Sequence, residues 1–514
     1  MTKRQQYPLI PVLNAEQASQ WDTASIDAGI PSRLLMESAG RAAAYVIGEW
    51  YSDLMQEGVL IAAGNGNNGG DGWVVARALA QAGVPVFVVE NDGDRTPDCE
   101  ANRSLAKTAN VTVLESKNAF PKVGLVVDAM LGTGAKGEPR GEIGTLARAI
   151  SDMGVPVVAL DGPTGLDLST GAVHGPIIAD LTITFGGFRR GHLLSREVSG
   201  VVVVVDIGFV DPMPEWPVFI DGKWARNHAP AFSPTLHKGS RGKVLVIGGQ
   251  EGMAGAVMHA AQGAFAAGAG LVKVAAEPGT VNALQESLPD AMTLVTGLSN
   301  TPEDSLLEAW EWADSVVIGP GIGRDISRAV FVQRLLEQDS DVSLVLDADI
   351  LYFPDVIFSG KQNRVATPHR GEFQAAFPSH HELLTSDPFQ ACKEASDSVG
   401  HTVLLKGVPT IVAGDGSVNV VAAGNPSLAT GGSGDVLAGI VSALLAQKLP
   451  PPVAAPLGAF VAGTAADILA KTKSVKTIRP ADVLGCVDQV WRELDSFTYA
   501  SPPVLAELEP PETR

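Results

Sequence analysis

Short apolar runs recur along the first part of the chain, at Val59–Ala63, Val84–Val89, Val111–Leu114, Leu125–Val127, Val155–Leu160, Leu181–Phe185 and Val201–Val205. Stretches of helical spacing separate most of them, as at Trp73–Ala82 and Ile143–Met153. Continuous apolar strands alternating with helices predict a parallel sheet covered on both faces, an α/β fold. Ahead of them, Asn14 and Gln17 form a capping-box pair. They predict a helix that stops near Gly29-Ile30-Pro31, and a second helix follows from about Leu34 to Trp50. Between about Asp211 and Pro234 the rhythm breaks into a segment with five prolines and two tryptophans, which reads as a packed interdomain connection. A second α/β series then begins, with strands at Lys243–Ile247, Leu271–Ala275, Ser315–Ile318, Leu344–Leu346 and Val403–Leu405. It closes with helices at about Val453–Lys471 and Ala481–Ser496. The expected domains are 1–222 and 223–500, with a frayed, Pro- and Glu-rich tail over 501–514.

Composition narrows the functional classes. The chain has 514 residues, so two domains are the simplest division. A formal charge of -20 argues against binding a nucleic-acid backbone, which relies on Lys and Arg. An anionic small molecule would have to be held by backbone N–H groups, helix N-termini and a few placed cations. The three cysteines, Cys99, Cys392 and Cys486, have neither disulfide nor zinc spacing and point to a reducing, cytoplasmic setting. Met1–Pro11 lacks an apolar run of signal-peptide length and Val201–Val205 is only strand-sized, so no membrane partner is expected. A homo-oligomer of this chain is expected.

The most informative local sequence is Ala63-Gly64-Asn65-Gly66-Asn67-Asn68-Gly69-Gly70-Asp71-Gly72, between a predicted strand and a helix expected from about Trp73. Its glycines permit positive φ and close approach of a ligand, and the helix start offers N–H groups to phosphate. It is neither GxGxxG nor a GxxxxGK[ST] loop. Two further strands run into Asp128-Ala129-Met130-Leu131-Gly132-Thr133-Gly134 and Asp161-Gly162-Pro163-Thr164-Gly165-Leu166-Asp167. Aspartate at a strand end is often only a cap or turn former. Three such loops, however, converge at the carboxyl ends of parallel strands, where α/β sheets bind ligands.

These three motifs resemble the family of NAD(P)H-hydrate epimerases over about Asn14–Gly222. The resemblance implies a Rossmann-like three-layer domain that interconverts the R and S epimers of 6-hydroxylated NADH and NADPH. It implies substrate contacts from Asn67, Asn68, Gly69, Gly70 and Asp71, and from Gly132, Thr133, Gly134, Ala135, Lys136, Gly137 and Glu138. It further implies a potassium ion on Asn68, Asp128 and Thr164, and Asp161 at the nicotinamide ring as acid/base. Amide, carboxylate and hydroxyl oxygens suit a monovalent cation. The family has Ile or Val and often Ser where this chain has Gly162 and Thr164, so a hydroxyl is kept.

In the second half, Lys243–Ile247 leads into Gly248-Gly249 and then Gly252-Met253-Ala254-Gly255 before a small-residue helix, Val257–Gly268. Core packing explains most of those alanines, while Ala254 lies at the loop. Further loops are Gly319-Pro320-Gly321-Ile322-Gly323, Thr367-Pro368-His369-Arg370, Lys406-Gly407-Val408-Pro409-Thr410 and Thr430-Gly431-Gly432-Ser433-Gly434-Asp435. The last leads into an apolar helix whose opening N–H groups can form an anion hole. Asp435 in its first turn reads as a helix-start carboxylate or as a base. His369 and Lys406 alone would be an ordinary loop histidine and a strand-end lysine.

In this order the loops resemble the ribokinase-like fold, and within it ADP-dependent NAD(P)H-hydrate dehydratases, over about Lys223–Phe497. The resemblance implies Ala254, Gly321, His369 and Asp435 at the hydrated nucleotide, and Lys406–Thr410 with Gly434 at ADP. Thr367, Arg370 and Ile350 replace the family's Asn, Pro and Ala. Asp435 would deprotonate the ring hydroxyl of the S epimer as it attacks ADP, over an anion hole at Gly431–Gly434. Phosphate loss then returns NADH or NADPH. Mg2+ would bridge the phosphates, with Asp347 and Asp349 as candidate ligands. Two alternatives stay open: a ribokinase-like small-molecule kinase, and a first half that is only a binding module, as in related domains of RNA-decapping factors.

Overall fold

The computed structural model describes residues 9–114, 120–298, 301–338, 340–358, 363–496 and 502–513. They form two compact units, Met1–Phe219 with Tyr499–Pro511, and Ile220–Thr498 with Glu512–Arg514.

In the first unit the strands are β1 (Val12–Leu13), β2 (Val59–Ala63), β3 (Val86–Glu90), β4 (Thr112–Val113), β5 (Leu125–Ala129), β6 (Val157–Leu160), β7 (Leu181–Phe185), β8 (Phe188–Arg189), β9 (Val201–Val205) and β10 (Val218–Phe219). The main sheet runs β9-β7-β6-β5-β2-β3-β4, all parallel. Both faces are covered, which is why the strands are apolar without alternation. Ile61 and Val127 pack with Trp73 and Ile47 on one side, and Leu60 and Val126 with Leu146 and Ile150 on the other. Burying each such side chain is worth about 1.5–3 kcal/mol. The chain proceeds outward through β2, β3 and β4, then returns to β5 on the opposite side of β2. That reversal makes β2/β5 the switch point, where a crevice opens beyond the strand ends. The Asn14–Gln17 capping box forms as expected, with Gln17 N–H donating to Asn14 Oδ1 at 2.9 Å.

Three expectations for this unit are corrected. The helix after β2 begins at Asn67, not Trp73, and none of Gly64, Gly66, Gly69, Gly70 or Gly72 has positive φ. These glycines serve close packing instead. A methyl on Gly69 would lie 1.9 Å from the Gly64 carbonyl oxygen, and one on Gly72 2.7 Å from Ala129 Cβ. The tail is not frayed throughout: Val504–Leu508 (β20) pairs antiparallel with β9, Val504 opposite Val205 and Leu508 opposite Val202. A five-valine edge strand needs covering, and this segment satisfies its open backbone groups.

The second unit contains β11 (Lys243–Ile247), β12 (Leu271–Ala276), β13 (Met292–Val295), β14 (Ser315–Ile318), β15 (Ser343–Leu346), β16 (Arg364–Ala366), β17 (Thr402–Leu405), β18 (Thr410–Gly414) and β19 (Ser417–Val421). Their order is β13-β12-β11-β14-β15-β16-β17-β18-β19. Pairing is parallel from β13 to β17 and antiparallel through β18 and β19. Here the chain reverses between β11 and β14, the second switch point. Helices Ala254–Ala266 and Ser433–Ala446 cross closely because glycines sit at the contact. A methyl on Gly439 would meet the Ala260 carbonyl oxygen at 1.9 Å. Pro451–Ala470 is long and apolar enough to cross a membrane, yet 61% of its most apolar window is buried within the protein. It is a core helix of this unit.

Candidate functional site

At the first switch point lies a cleft of about 670 Å³. Asn67, Asn68 and Asp71 reach it from the helix after β2, Gly132, Thr133, Gly134 and Ala135 from the loop after β5, and Asp161 from the end of β6. Lys136, Gly137 and Glu138 are exposed and do not line it. Gly69 and Gly70 are buried behind it. Asp128 is fully buried, its carboxylate accepting from Thr164 N–H at 2.7 Å, Thr164 Oγ1–H at 2.8 Å and Met130 N–H at 3.2 Å. Burial raises its pKa to about 6 despite those donors. Asn68 Nδ2–H donates to the Leu131 carbonyl at 3.0 Å, and Asn68 Oδ1 is buried without a partner. An orphaned amide oxygen close to the Asp128–Thr164 network is the chemistry of an oxygen-lined cation site.

Asp161 is held by groups that motif reading missed. Its backbone is left-handed, φ 63°, an unfavourable conformation for a non-glycine residue. Its carbonyl accepts from His192 Nε2–H at 2.7 Å, while His192 Nδ1 accepts from the Arg189 N–H at 3.1 Å. The carboxylate accepts on Oδ2 from Thr133 N–H at 2.8 Å and from the Thr133 hydroxyl. Oδ1 makes no hydrogen bond but lies 3.2 Å from Arg189 Nη2, and Arg189 Nε–H also donates to Thr133 Oγ1 at 3.1 Å. Burial alone would raise the Asp161 pKa; Arg189, Thr133 and His192 outweigh it and hold the carboxyl below the ordinary range. Burial also keeps His192 neutral, its pKa lowered to about 4. Asp71, in the same cleft, has its pKa pushed well up by burial, with Asp161 and Asp22 adding repulsion. Two carboxyl groups shifted in opposite directions in one cleft are the arrangement of an acid/base site. The missed signal was Arg189, a cation just beyond the β7 strand end.

In the second unit, Asp435 stands in the first turn of Ser433–Ala446, whose N-cap Gly432 is left-handed at φ 98°. The loops after β15 and β17 bring Asp347 and Lys406 beside it, and the helix Arg370–Ala376 after β16 brings Glu372. Lys406 Nζ is 2.8 Å from Asp347 Oδ1 and 3.4 Å from Glu372 Oε2, and Thr367 Oγ1–H donates to Asp347 Oδ1 at 2.8 Å. Gly434 leaves room for this cluster, since a methyl there would be 3.1 Å from Lys406 Nζ. Burial and the Asp347 charge push Asp435 up to about 8, against the pull of Lys406. The Lys406 pKa is itself raised, because its two carboxylates outweigh burial. Lys406 is therefore a buried, paired cation. His369 caps Arg370–Ala376, Nδ1 accepting from Glu372 N–H at 3.0 Å, and its side chain is exposed.

At the second switch point, the loop after β14 lies against the loop after β11. Gly249 N–H donates to the Pro320 carbonyl at 2.9 Å and Gln250 N–H to that of Gly321 at 2.8 Å. A methyl on Gly321 would lie 2.8 Å from Met253 Cβ, next to Ala254, so Gly321 and Ala254 share one end of the site. Asp349 accepts from Gly323 N–H at 3.1 Å and Arg324 Nε–H at 2.8 Å. Asp347 and Asp349 are thus each matched to a cation. No cluster of three His, Cys, Asp or Glu residues suited to a metal occurs among the described residues. Val408 is exposed, and Thr410 Oγ1–H donates to the Gly407 carbonyl at 2.7 Å, tightening the turn into β18.

Fold and sites together define a fused α/β enzyme, with a Rossmann-like first unit and a ribokinase-like second, each carrying a tuned carboxylate at a strand-end crevice. Residues 32–191 match the family described as YjeF-related protein N-terminus, and residues 244–487 match NAD(P)H-hydrate dehydratase. The bifunctional NAD(P)H-hydrate repair enzyme Nnr of Escherichia coli K12 is 35% identical over 470 residues, covering 89% of each chain. That of Moorella thermoacetica is 33% identical, covering 94% of this chain and 97% of the relative. Among solved structures, a ribokinase-like superfamily protein from Enterococcus faecalis aligns with 54% of this chain and 95% of its own, at 26% identity and a TM-score of 0.49. The chain belongs to the family of bifunctional NAD(P)H-hydrate repair enzymes.

Proposed function

We infer that the first unit epimerises the R and S forms of hydrated NADH and NADPH, and that the second dehydrates the S form at the expense of ADP. The observation that carries this reading is the opposite tuning of two carboxylates, Asp161 held ionised and Asp435 held protonated until alkaline pH. In the first unit the hydrated ring sits against Asp161, whose Oδ1 takes the ring hydroxyl proton as the bond from that carbon to the ring nitrogen opens to a carbonyl, and returns the proton when the nitrogen closes on the other face. Arg189 keeps the carboxylate charged and His192 keeps it aimed. Asn67, Asn68 and Asp71, with Gly132, Thr133, Gly134 and Ala135, bind the rest of the nucleotide. Asn68, Asp128 and Thr164 hold K+, which supplies positive charge beside the bound anion; the unpartnered Asn68 Oδ1 supports that assignment.

In the second unit, Ala254, Gly321 and His369 bind the hydrated nucleotide, while Lys406–Thr410 and Gly431–Gly434 bind ADP. Asp435 takes the ring hydroxyl proton as that oxygen attacks the terminal phosphoryl of ADP, and AMP leaves. The ring nitrogen lone pair then expels phosphate, and the resulting iminium loses a proton from the adjacent ring carbon to give NADH or NADPH. The N–H groups opening Ser433–Ala446 meet the developing phosphoryl charge. Mg2+ would be held mainly by the nucleotide phosphates and would neutralise their charge, since Asp347 and Asp349 are already matched to Lys406 and Arg324. The three buried, unpaired cysteines support a cytoplasmic location, and we expect a homo-oligomer. A small-molecule kinase with an inert first half is not favoured, since both halves match the repair family. Purified protein given mixed hydrate epimers and ADP should restore the absorbance of the reduced ring with one AMP per ring. No recovery overturns the assignment.

A further inference from the structure

Arg324 directly follows the glycine loop that shares the substrate end of the second unit with Ala254. Its side chain is 56% exposed, yet it is fixed in place. Nε–H donates to Asp349 Oδ1 at 2.8 Å, and the guanidinium carbon lies 3.8 Å from the centroid of the Tyr352 ring. The other Asp349 oxygen accepts from the neighbouring Gly323 N–H at 3.1 Å, so one carboxylate locks both the loop and the arginine. The terminal Nη groups have no partner among the described residues. Ordering a long exposed side chain costs rotamer entropy, and here that cost is met before any ligand arrives.

The charges around the site show what such a fork suits. Asp347, Asp349, Glu372 and Asp435 are the acidic groups, and Lys406 is committed to Asp347 and Glu372. Arg370 is turned to the Leu384 carbonyl, 3.0 Å from Nη2. A dinucleotide carrying a pyrophosphate would otherwise enter an acidic protein with little positive charge to receive it. Planar, pre-oriented guanidinium donors match phosphate oxygens in pairs.

We propose that Arg324, braced by Asp349 and Tyr352, is the phosphate clamp for the hydrated dinucleotide in the dehydratase unit and sets its affinity for that substrate rather than for ADP. The proposal rests on the dehydratase reading above. Arg324→Gln keeps a polar side chain of similar reach but loses the charge. Steady-state kinetics at saturating ADP should show KM for the S hydrate raised tenfold or more, kcat within twofold, and KM for ADP unchanged. Adding salt should weaken hydrate binding more steeply in the parent than in the variant. An equal penalty with hydrated NADH and hydrated NADPH assigns the clamp to the pyrophosphate, and a penalty confined to hydrated NADPH assigns it to the 2′-phosphate. Arg324→Lys, which retains charge but not the fork, should fall between. An unchanged hydrate KM in a variant that melts with the parent, or a rise in ADP KM instead, overturns the proposal. A parent protein that cannot convert hydrate with ADP would defeat the dehydratase reading itself, a different result from normal parent turnover with an unaffected R324Q.

Discussion

Replacing Asp435 by Asn removes a carboxyl group that the fold holds against its preference. Burial, with Asp347, Glu372 and Asp349 nearby and Lys406 opposing them, moves its pKa from the ordinary 3.8 to about 8. In the native protein the proton is retained that the unfolded chain would release. The stability this contributes is fully present below about pH 4 and is lost as pH rises through 8. At about 1.4 kcal/mol per tenfold in proton affinity, the ionised form costs the native unit on the order of 5 kcal/mol at pH 9. D435N should therefore unfold at higher denaturant than the parent at pH 9, with the gap closing toward pH 4. The same variant should lose dehydratase turnover by about 10²- to 10⁴-fold, the usual worth of a general base. Only about one tenth of the parent is ionised at pH 7 if the pKa is 8. Its kcat/KM for the S hydrate should then climb with unit slope up to about pH 8 and level above it. A profile flat between pH 6 and 8, or D435N no more stable than the parent at pH 9, would refute this tuning.

His192→Ala removes the donor that holds the left-handed Asp161 backbone. It should slow R-to-S conversion at least tenfold with S repair intact, and equal loss of both rates would mean general unfolding instead. Gly69→Ala forces a methyl against the Gly64 carbonyl, so the first unit should lose about 1–3 kcal/mol in denaturant titrations. Ending the chain at Thr498 uncovers β9; light scattering should report association through the open valine edge, and a monomeric product would contradict that role. Exchanging K+ for Li+ should slow epimerisation while leaving dehydration of pure S hydrate unchanged.

The strand-end aspartates Asp128 and Asp161 are legible in the sequence because unbroken apolar runs announce buried parallel strands and the loops follow at once, and Asp435 is legible because a glycine run precedes an apolar helix. The Asn67 helix start was obscured by glycines whose purpose is contact rather than φ, a distinction only neighbouring atoms reveal. Arg189 and His192 escape pattern reading because β8 is only two residues long, between Gly187 and Arg190, and His192 lies in the short helix that follows. No apolar period marks it. The Lys406–Asp347 pair joins residues 59 positions apart on adjacent loops, so no local pattern announces it. β20 was hidden by its Pro- and Glu-rich flanks, although Val504-Leu505-Ala506 is strand-like by itself.

The division of labour between the two units is tested most directly by complementation. D161N should repair S hydrate but not R hydrate, and D435N should convert R to S without restoring either to the reduced nucleotide. Mixed together, with ADP present, the two variants should return R hydrate fully to NADH because the S epimer can diffuse between proteins. Repair of R hydrate by D161N above the spontaneous epimerisation rate, or failure of the mixture, would contradict two separate acid/base sites on one chain.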